Sequence, residues 1–392
     1  MRDIARLRFV RAADVYKKGR RAAALERGDT GGISFSYLPG YEGPPVASTL
    51  PVSTESVFGP GGGVPAFFAG LLPEGHRLSL LRRAAKTSLD DELTLLLAIG
   101  EDTPGDVQIV PAGEQPGTPE PLIAGLPSEV DFRDVAEMVD HYGLPGVQEK
   151  ASASMINALV GWQGAYSILK LDPPDHPHLV LNEALHLRHA RHLGIPVAQH
   201  RVVPDKNDKP GLLVRRFDRL VVSDGAVVRS GLEDAAQVLD LLPAAKYSVD
   251  SERVVHALAA QTNSPVVAAR NLYMQFLFAW LTGNGDLHAK NLSIVESKSG
   301  TWSVAPMYDI PCTVLYRDMT LALPVAGKIK NLKNQHWAEF ADSIGLAPAV
   351  AASANERVLR VAAKIDLSDL PLSGSPLYGA ARELERRRMR FA

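Results

Sequence analysis

Cysteine is nearly missing from this sequence: Cys312 is the only one in 392 residues. No intrachain disulfide can form, and with no Cys/His cluster at ligand spacing there is no basis for a structural zinc site. Long hydrophobic runs are missing too. No segment approaches the roughly 18 uninterrupted apolar residues of a membrane-spanning helix. The opening MRDIARLRFVRAADV has neither the apolar stretch nor the small-residue cleavage site of a secretory leader. A cytoplasmic address, with no membrane contact, is the expectation. Nor is one sign of charge in excess: 42 Lys and Arg stand against 44 Asp and Glu, a net charge of −2, so the whole-chain field gives no reason to expect direct, non-specific nucleic-acid binding.

What is present is a globular composition, 46% apolar and 22% charged, in a chain longer than single cores usually grow, so packed subdomains are expected. Apolar and polar residues alternate through Leu7 to Val10 and again through Ile33 to Tyr37, with Gly31-Gly32 and Pro39-Gly40 as turns, which reads as a small sheet. PAFFAGLLPEGHRLSLLRRAAKTSLDDELTLLLAIG then carries apolar residues at helical spacing over two segments, with Ser88 as an N-cap and Asp91 and Glu92 in the first turn. Pro and Gly crowd the stretch from Ala112 to Pro127, which reads as a linker.

Beyond it come a short helix (Asp131 to His141), a hairpin (Ala151 to Val160 and Tyr166 to Leu171) and a helix from Leu179 to His192 ending at Gly194. Strands follow at Val197 to Val203 and Leu212 to Phe217. After Leu232 the pattern is helical, except for two strand-like runs between Leu292 and Val304 around the Ser297-Lys298-Ser299-Gly300 turn. The division is 1–111, 112–127 as linker, 128–230 and 231–392, and the class is α+β, a mixed sheet followed by helices in a bilobal arrangement. His186, Arg188, His189, Arg191 and His192 read as the solvated face of their helix, and ELERRRMR as a solvated basic helix end.

Chemistry concentrates in LTGNGDLHAKNLSIVE, Leu281 to Glu296. There Asp286 and Asn291 have the spacing of a phosphotransfer loop, in which a carboxylate accepts the proton of an attacking hydroxyl and an amide oxygen faces Mg²⁺. The small Gly283 and Gly285 allow a tight backbone path into Asp286. In VAPMYDI, Asp309 follows a hairpin and could return a second metal-ligating oxygen; taken alone, such an Asp is more often a turn former or cap. Lys170, at the end of the apolar strand AYSILK, needs an anionic partner if buried. ATP phosphates and Glu183 on the next helix would supply one, and a snorkelling edge lysine is the plainer alternative. LPGVQEKAS, Leu144 to Ser152, has one central Gly and matches neither common phosphate-loop pattern, so alone it says little.

Taken together, PGVQEK, ILKLDP, NEALHLRHARHLGIPV, RRFDR, GNGDLHAKN and APMYDI, with FFAGLLPEG near the start, resemble in order the motifs of the HipA family of serine/threonine kinases, toxins of toxin-antitoxin pairs. The resemblance implies a bilobal protein-kinase-like α+β fold with a small N-terminal α/β subdomain (1–111), a sheet carrying the nucleotide loop, and a mainly helical catalytic lobe. It further implies ATP and Mg²⁺ as cofactors, with Lys170 on the nucleotide phosphates and paired with Glu183. Asp286 would be the base, and Asn291 and Asp309 the metal ligands. Gly146, Gln148, Glu149 and Lys150 would form the loop over the phosphates, Phe217 would offer backbone to adenine, and His288 and Lys290 would line the catalytic loop.

The implied partners are a protein substrate, with an aminoacyl-tRNA synthetase as one type, and a HipB-like helix-turn-helix antitoxin that makes most of the DNA contact. Three departures stand out. Gly143 occupies the place where family loops often carry an autophosphorylated serine, Arg215 stands where some members have Glu, and Leu287 replaces a Gly or Arg. G-D-L-H-x-x-N also resembles aminoglycoside phosphotransferases, which usually have His where Asn284 stands here. A pseudokinase scaffold acting with a DNA-binding antitoxin would be expected to replace Asp286 or Asp309.

Overall fold

The computed structural model describes residues 4–29, 31–117, 126–135, 156–162, 165–221 and 226–391. The PGVQEK loop, with Gly146, Gln148, Glu149 and Lys150, lies outside them, as does Gly143.

The N-terminal part is built on an antiparallel sheet of order β4-β3-β2-β1-β5, from β1 (Ala12–Lys17), β2 (Arg20–Arg27), β3 (Ile33–Tyr37), β4 (Val57–Phe58) and β5 (Val107–Pro111). Ile33 to Tyr37 is a strand as expected. Leu7 to Val10 is not: Ile4–Phe9 is a 3₁₀ helix whose Leu7 plugs the core. The first hairpin is instead β1 with β2, closed by Lys18 and Gly19, both at positive φ (50° and 75°). Two-residue hairpin turns demand that backbone, and Lys-Gly is a weaker signal of it than Asn-Gly.

Three helices, Ala66–Leu71, Gly75–Ala85 and Glu92–Ile99, cover the sheet where two segments were expected. Pro73 separates the first two. Glu92–Ile99 buries Leu93 through Leu97 in a continuous run, and its cap is Asp91, which accepts from the Thr94 N–H, not Ser88.

A second antiparallel sheet, order β6-β7-β9-β8, comprises β6 (Ile156–Trp162), β7 (Ala165–Leu171), β8 (His200–Pro204) and β9 (Pro210–Arg215). Helix Leu179–Ala190 packs against β8 and β9 and passes through a 3₁₀ turn to Gly194 at φ 73°. Its start is fixed by Asp172, whose carboxylate accepts from the His178 and Val180 N–H groups at 2.8 Å each. This helix does not present its histidines uniformly to solvent. His186 is fully buried, its Nδ1 bonded to the Asn182 carbonyl, and burial pushes its pKa down to about 4.

After the short hairpin β10 (Arg219–Val221) and β11 (Val227–Arg229), the strands β12 (Leu232–Asp234), β13 (Ser293–Glu296) and β14 (Trp302–Val304) form a small antiparallel sheet. β12 was not legible in advance; the other two were. The remainder is helical: Ser251–Ala260, Pro265–Thr282, Asn334–Ser343, Pro348–Ala362 and Ser375–Phe391. Pro265–Thr282 is buried on every side from Leu272 onward, as an apolar helix at the centre of a core must be. Its own Phe276 and Trp280 share one core with Trp337 and Phe340 of helix Asn334–Ser343. The basic C-terminal helix is not wholly solvated: Arg387 is buried, stacked 4.0 Å over the Trp280 ring and donating to the Trp280 carbonyl. Among the described residues no helix is long and apolar enough to cross a membrane.

Candidate active site

Three segments distant in sequence converge between the second sheet and the helical body. The first is β7, whose penultimate residue, Lys170, points at helix Leu179–Ala190. Its Nζ lies 2.8 Å from both carboxylate oxygens of Glu183 and 3.1 Å from Oδ1 of Asp309. Lys170 is thus not a snorkelling edge residue. Burial works against its charge, but Asp309 and Glu183 outweigh that and raise its pKa, so the ammonium stays charged.

The second segment is Tyr308 to Cys312, and the neighbouring pair Asn182-Glu183 holds it in place. Asn182 donates to the Cys312 carbonyl at 3.0 Å and accepts from the Cys312 N–H at 2.9 Å, while Glu183 accepts from the Asp309 N–H at 3.2 Å. Asp309 sits at φ 56°, a left-handed backbone that non-glycine residues seldom adopt. From that backbone its Oδ1 meets the Lys170 ammonium.

The third is the Asp286 loop. Helix Pro265–Thr282 stops at Gly283 (φ 76°), whose N–H donates to the Ala279 carbonyl. Gly285 then passes so close to Thr320, Asp318 and Thr313 that a Cβ there would lie 2.5 Å from the Thr320 carbonyl oxygen. Asp286 follows, with 1% of its surface exposed. Its N–H donates to the Asn284 side chain, its carbonyl accepts from the His288 N–H and from the Asn291 amide at 2.9 Å, and its Oδ1 accepts from the Tyr247 hydroxyl at 3.0 Å. His288 Nε2 is 4.0 Å from the same Oδ1. With the Asn291 amide nitrogen committed to Asp286, its carbonyl oxygen is turned away from that bond. Tyr308 joins the second and third segments, its hydroxyl donating to the Lys290 carbonyl at 3.0 Å and lying 2.7 Å from Ser293 Oγ. Phe217, between β9 and β10, lies with its ring centroid 5.7 Å from that of Tyr308.

The oxygen donors suit Mg²⁺. A carboxylate and an amide oxygen are hard ligands of the kind that ion takes alongside phosphate oxygens. Asp309, sharing its carboxylate with one ammonium while Glu183 serves the same ammonium, belongs to a group carrying one more negative than positive charge.

Two features were not anticipated. Lys290, expected to line the loop, has its ammonium on the Gly70 carbonyl at 2.9 Å and on Glu74 at 3.2 Å, both from the N-terminal part. The RRFDR segment is tied there as well. Asp218 accepts from Arg216, Arg219 and the Gly105 N–H, and both arginines also pair with Asp102. The density of alternating charge in R-R-F-D-R was the available signal, because such groups are buried only when paired.

With that geometry in place, similarity to known proteins is informative. The chain shares its fold with a chain of the solved complex of Shewanella oneidensis HipA, HipB and operator DNA, with a TM-score of 0.77 and 24% identity over 97% of each chain. That defines the class as an α+β fold shared with that chain. Residues 142–365 match the HipA-like C-terminal domain and residues 13–110 the HipA N-terminal domain, and the chain belongs to the HipA family. The serine/threonine-protein kinase toxin HipA of Shewanella oneidensis is 27% identical over 351 residues, 81% of this chain and 79% of that protein. A Sinorhizobium fredii protein named "Putative kinase Y4mE" is 28% identical over 368 residues, 86% of each chain.

Proposed function

We propose that this protein is an ATP- and Mg²⁺-dependent serine/threonine kinase that phosphorylates a protein hydroxyl, acting as the toxin of a toxin-antitoxin pair. The observation that carries the reading is the Lys170 ammonium held jointly by Glu183 and Asp309, since a buried cation fixed on a helix carboxylate is how kinases hold nucleotide phosphates. Lys170 binds the phosphates, and Asn291 and Asp309 are the residues that would hold Mg²⁺. When bound, the ion neutralises charge on the transferring phosphoryl group.

Asp286 takes the proton from the acceptor hydroxyl as that oxygen bonds to the γ-phosphorus and the bond from phosphorus to the bridging oxygen breaks, releasing ADP. Phe217 supplies backbone to the adenine, the loop over the phosphates is assigned to Gly146, Gln148, Glu149 and Lys150 by the family resemblance alone, and His288 stands beside the base. The division into 1–111, 128–230 and 231–392, with the nucleotide between the last two, belongs to the same reading. So does a cytoplasmic HipB-like antitoxin that brings the DNA contact, by analogy with the Shewanella complex, and an acceptor of the translation machinery such as an aminoacyl-tRNA synthetase.

The experiment is transfer of labelled γ-phosphate from ATP and Mg²⁺ in cell lysate by wild type, Asp286→Asn and Asp309→Asn. A labelled protein band present only with wild type is the expected result. ATP consumption without labelled protein would overturn the protein-kinase reading in favour of a small-molecule kinase. No ATP binding or turnover would leave a scaffold.

A further inference from the structure

Glu74 lies in the N-terminal part, at the start of helix Gly75–Ala85, yet its side chain caps nothing there. It reaches out of its own subdomain and divides its carboxylate between two lysines: Oε1 is 3.2 Å from Lys290 Nζ, and Oε2 bonds Lys246 Nζ. Both lysines belong to the framework around Asp286. Lys290 is in the Asp286 loop itself, and its carbonyl receives the Tyr308 hydroxyl. The Lys246 carbonyl accepts from the Ala289 N–H at 3.2 Å, and the next residue, Tyr247, donates to Asp286 Oδ1 and sets its ring edge-on to His288 at 5.1 Å.

Two short paths therefore run from one carboxylate to the two sides of one aspartate. The side chains are 31% exposed for Glu74, 12% for Lys246 and 13% for Lys290, so the ion pair to Lys290 and the charge-assisted hydrogen bond from Lys246 are screened less than exposed pairs would be. Burial works against the Glu74 charge, but the two ammonium groups more than compensate and lower its pKa.

We propose that Glu74 is a positioning residue for phosphoryl transfer, one that clamps Lys246 and Lys290 and thereby sets Tyr247 and the Asp286 carboxylate for the acceptor hydroxyl. The inference rests on the kinase reading above. It makes the N-terminal subdomain a working part of the catalytic apparatus. A local shift of the base misaligns transfer without touching the residues that hold the nucleotide, so turnover and nucleotide binding separate.

The test uses the full chain as wild type, Glu74→Gln, Glu74→Asp, Tyr247→Phe and the Glu74→Gln/Tyr247→Phe double variant. Lys18→Ala, which removes an exposed ion pair to Glu296 elsewhere between the same parts of the molecule, is the control. Three quantities are read: kcat for labelled γ-phosphate transfer in lysate, Kd for Mg²⁺ and a non-hydrolysable ATP analogue, and Tm. Glu74→Gln is expected to lower kcat about tenfold and leave Kd within about twofold, because the loss falls on the transition state. Glu74→Asp recovers part of it, Tyr247→Phe falls similarly, and the double variant is no worse than Glu74→Gln alone, since Tyr247 lies on one of the two paths that start at Glu74. Lys18→Ala matches wild type.

A wild-type kcat in Glu74→Gln and Tyr247→Phe, or a loss of kcat that merely follows a loss of nucleotide binding, overturns the inference alone. If Glu74→Gln does not fold, Tyr247→Phe decides by the same criterion. A wild-type protein that consumes no ATP overturns the kinase reading and this inference with it.

Discussion

The Lys170 ammonium sits equidistant from the two carboxylate oxygens of Glu183, 2.8 Å from each, with no surface of the Glu183 side chain exposed to water. Removing Lys170 leaves the Glu183 carboxyl buried without a cation, whereas removing Glu183 leaves the ammonium to Asp309 alone. Glu183→Ala is expected to destabilise the protein by up to about 3–5 kcal/mol, read from the urea midpoint, and to abolish transfer. Lys170→Met leaves Glu183 and Asp309 facing each other; Glu183, whose pKa burial already raises, then takes up a proton, so the stability cost should be the smaller of the two. Nucleotide binding should fail in both.

Asp218 ties RRFDR to the N-terminal part. Burial works against its charge, but Arg216 and Arg219 bring its pKa down to about 2. A folded-state value below the unfolded one means stability that is present above pH of about 4 and lost as pH falls toward about 2, amounting to about 2–3 kcal/mol. Asp218→Asn should be less stable than wild type by roughly that amount at neutral pH, and the gap should close on acidification. Denaturation midpoints at pH 7, 4 and 2.5 check it. A gap independent of pH would mean that the Asp218 charge is not what matters.

How much of this could be read from the sequence depends on whether the partner was local. Asp286 and Asn291 share one loop, and Lys170 and Glu183 lie on consecutive elements, so spacing marked them as candidates even though Lys170 alone read more readily as a snorkelling edge residue; the structure joins Lys170, Glu183 and Asp309, and Tyr308 links that group to the Asp286 loop. Tyr247 and Glu74 escaped notice because their meaning lies in contacts across long separations, Glu74 with Lys290 and Tyr247 with Asp286. Asn182 stood in a motif, but its clamp on Cys312 depends on how two segments dock. In the fold, helix Leu179–Ala190 and strands β13 and β14 announced themselves by period and turn residues. β1, β2 and β5 did not, because a central strand such as β1, with its run of buried residues, loses the two-residue alternation that marks a strand exposed on one face. His186 was misplaced for the related reason that a polar residue on a helix is assumed to face water, and here its ring nitrogen finds a carbonyl instead.

Asp234 makes the opposite prediction to Asp218. It caps the turn that begins at Ala235 by accepting from the Gln237 N–H, and burial raises its pKa to about 6 despite the attraction of Lys290. A carboxyl whose folded value is raised contributes most below its unfolded pKa, and the contribution disappears as pH rises through about 6. The cost is then about 3 kcal/mol. Asparagine caps equally well and never ionises. Asp234→Asn should therefore match wild type near pH 4 and exceed it in Tm at pH 7.5. A wild type that is the more stable at pH 7.5 would show that the ionised carboxylate is wanted, through Lys290.

Gly283 and Gly285 flank the same turn but answer to different constraints, and alanine separates them. Gly283 has φ 76°, and a Cβ there would also lie 2.8–3.0 Å from Val314, Leu384 and Cys312. Alanine must adopt a left-handed backbone inside a packed core, so its cost falls on stability and amounts to at least about 1–2 kcal/mol. Gly285 has no such backbone requirement. Its Cβ would instead be 2.5 Å from the Thr320 carbonyl oxygen, 2.7 Å from Asp318 Oδ2 and 2.8 Å from Thr313 Oγ1. Its N–H donates to that same Thr313 hydroxyl. The added methyl group must push the strand of chain carrying Asp286 away from Thr313, and a displacement of about 1 Å at a catalytic group costs about 100-fold in rate. Gly285→Ala should lose kcat by about that factor while still binding the ATP analogue, because Lys170 and its two carboxylates lie on other elements. Gly283→Ala should show the larger fall in Tm and, in the fraction still folded, the smaller fall in kcat. The reverse order would mean that Gly285 is there for packing and that the Asp286 loop tolerates movement.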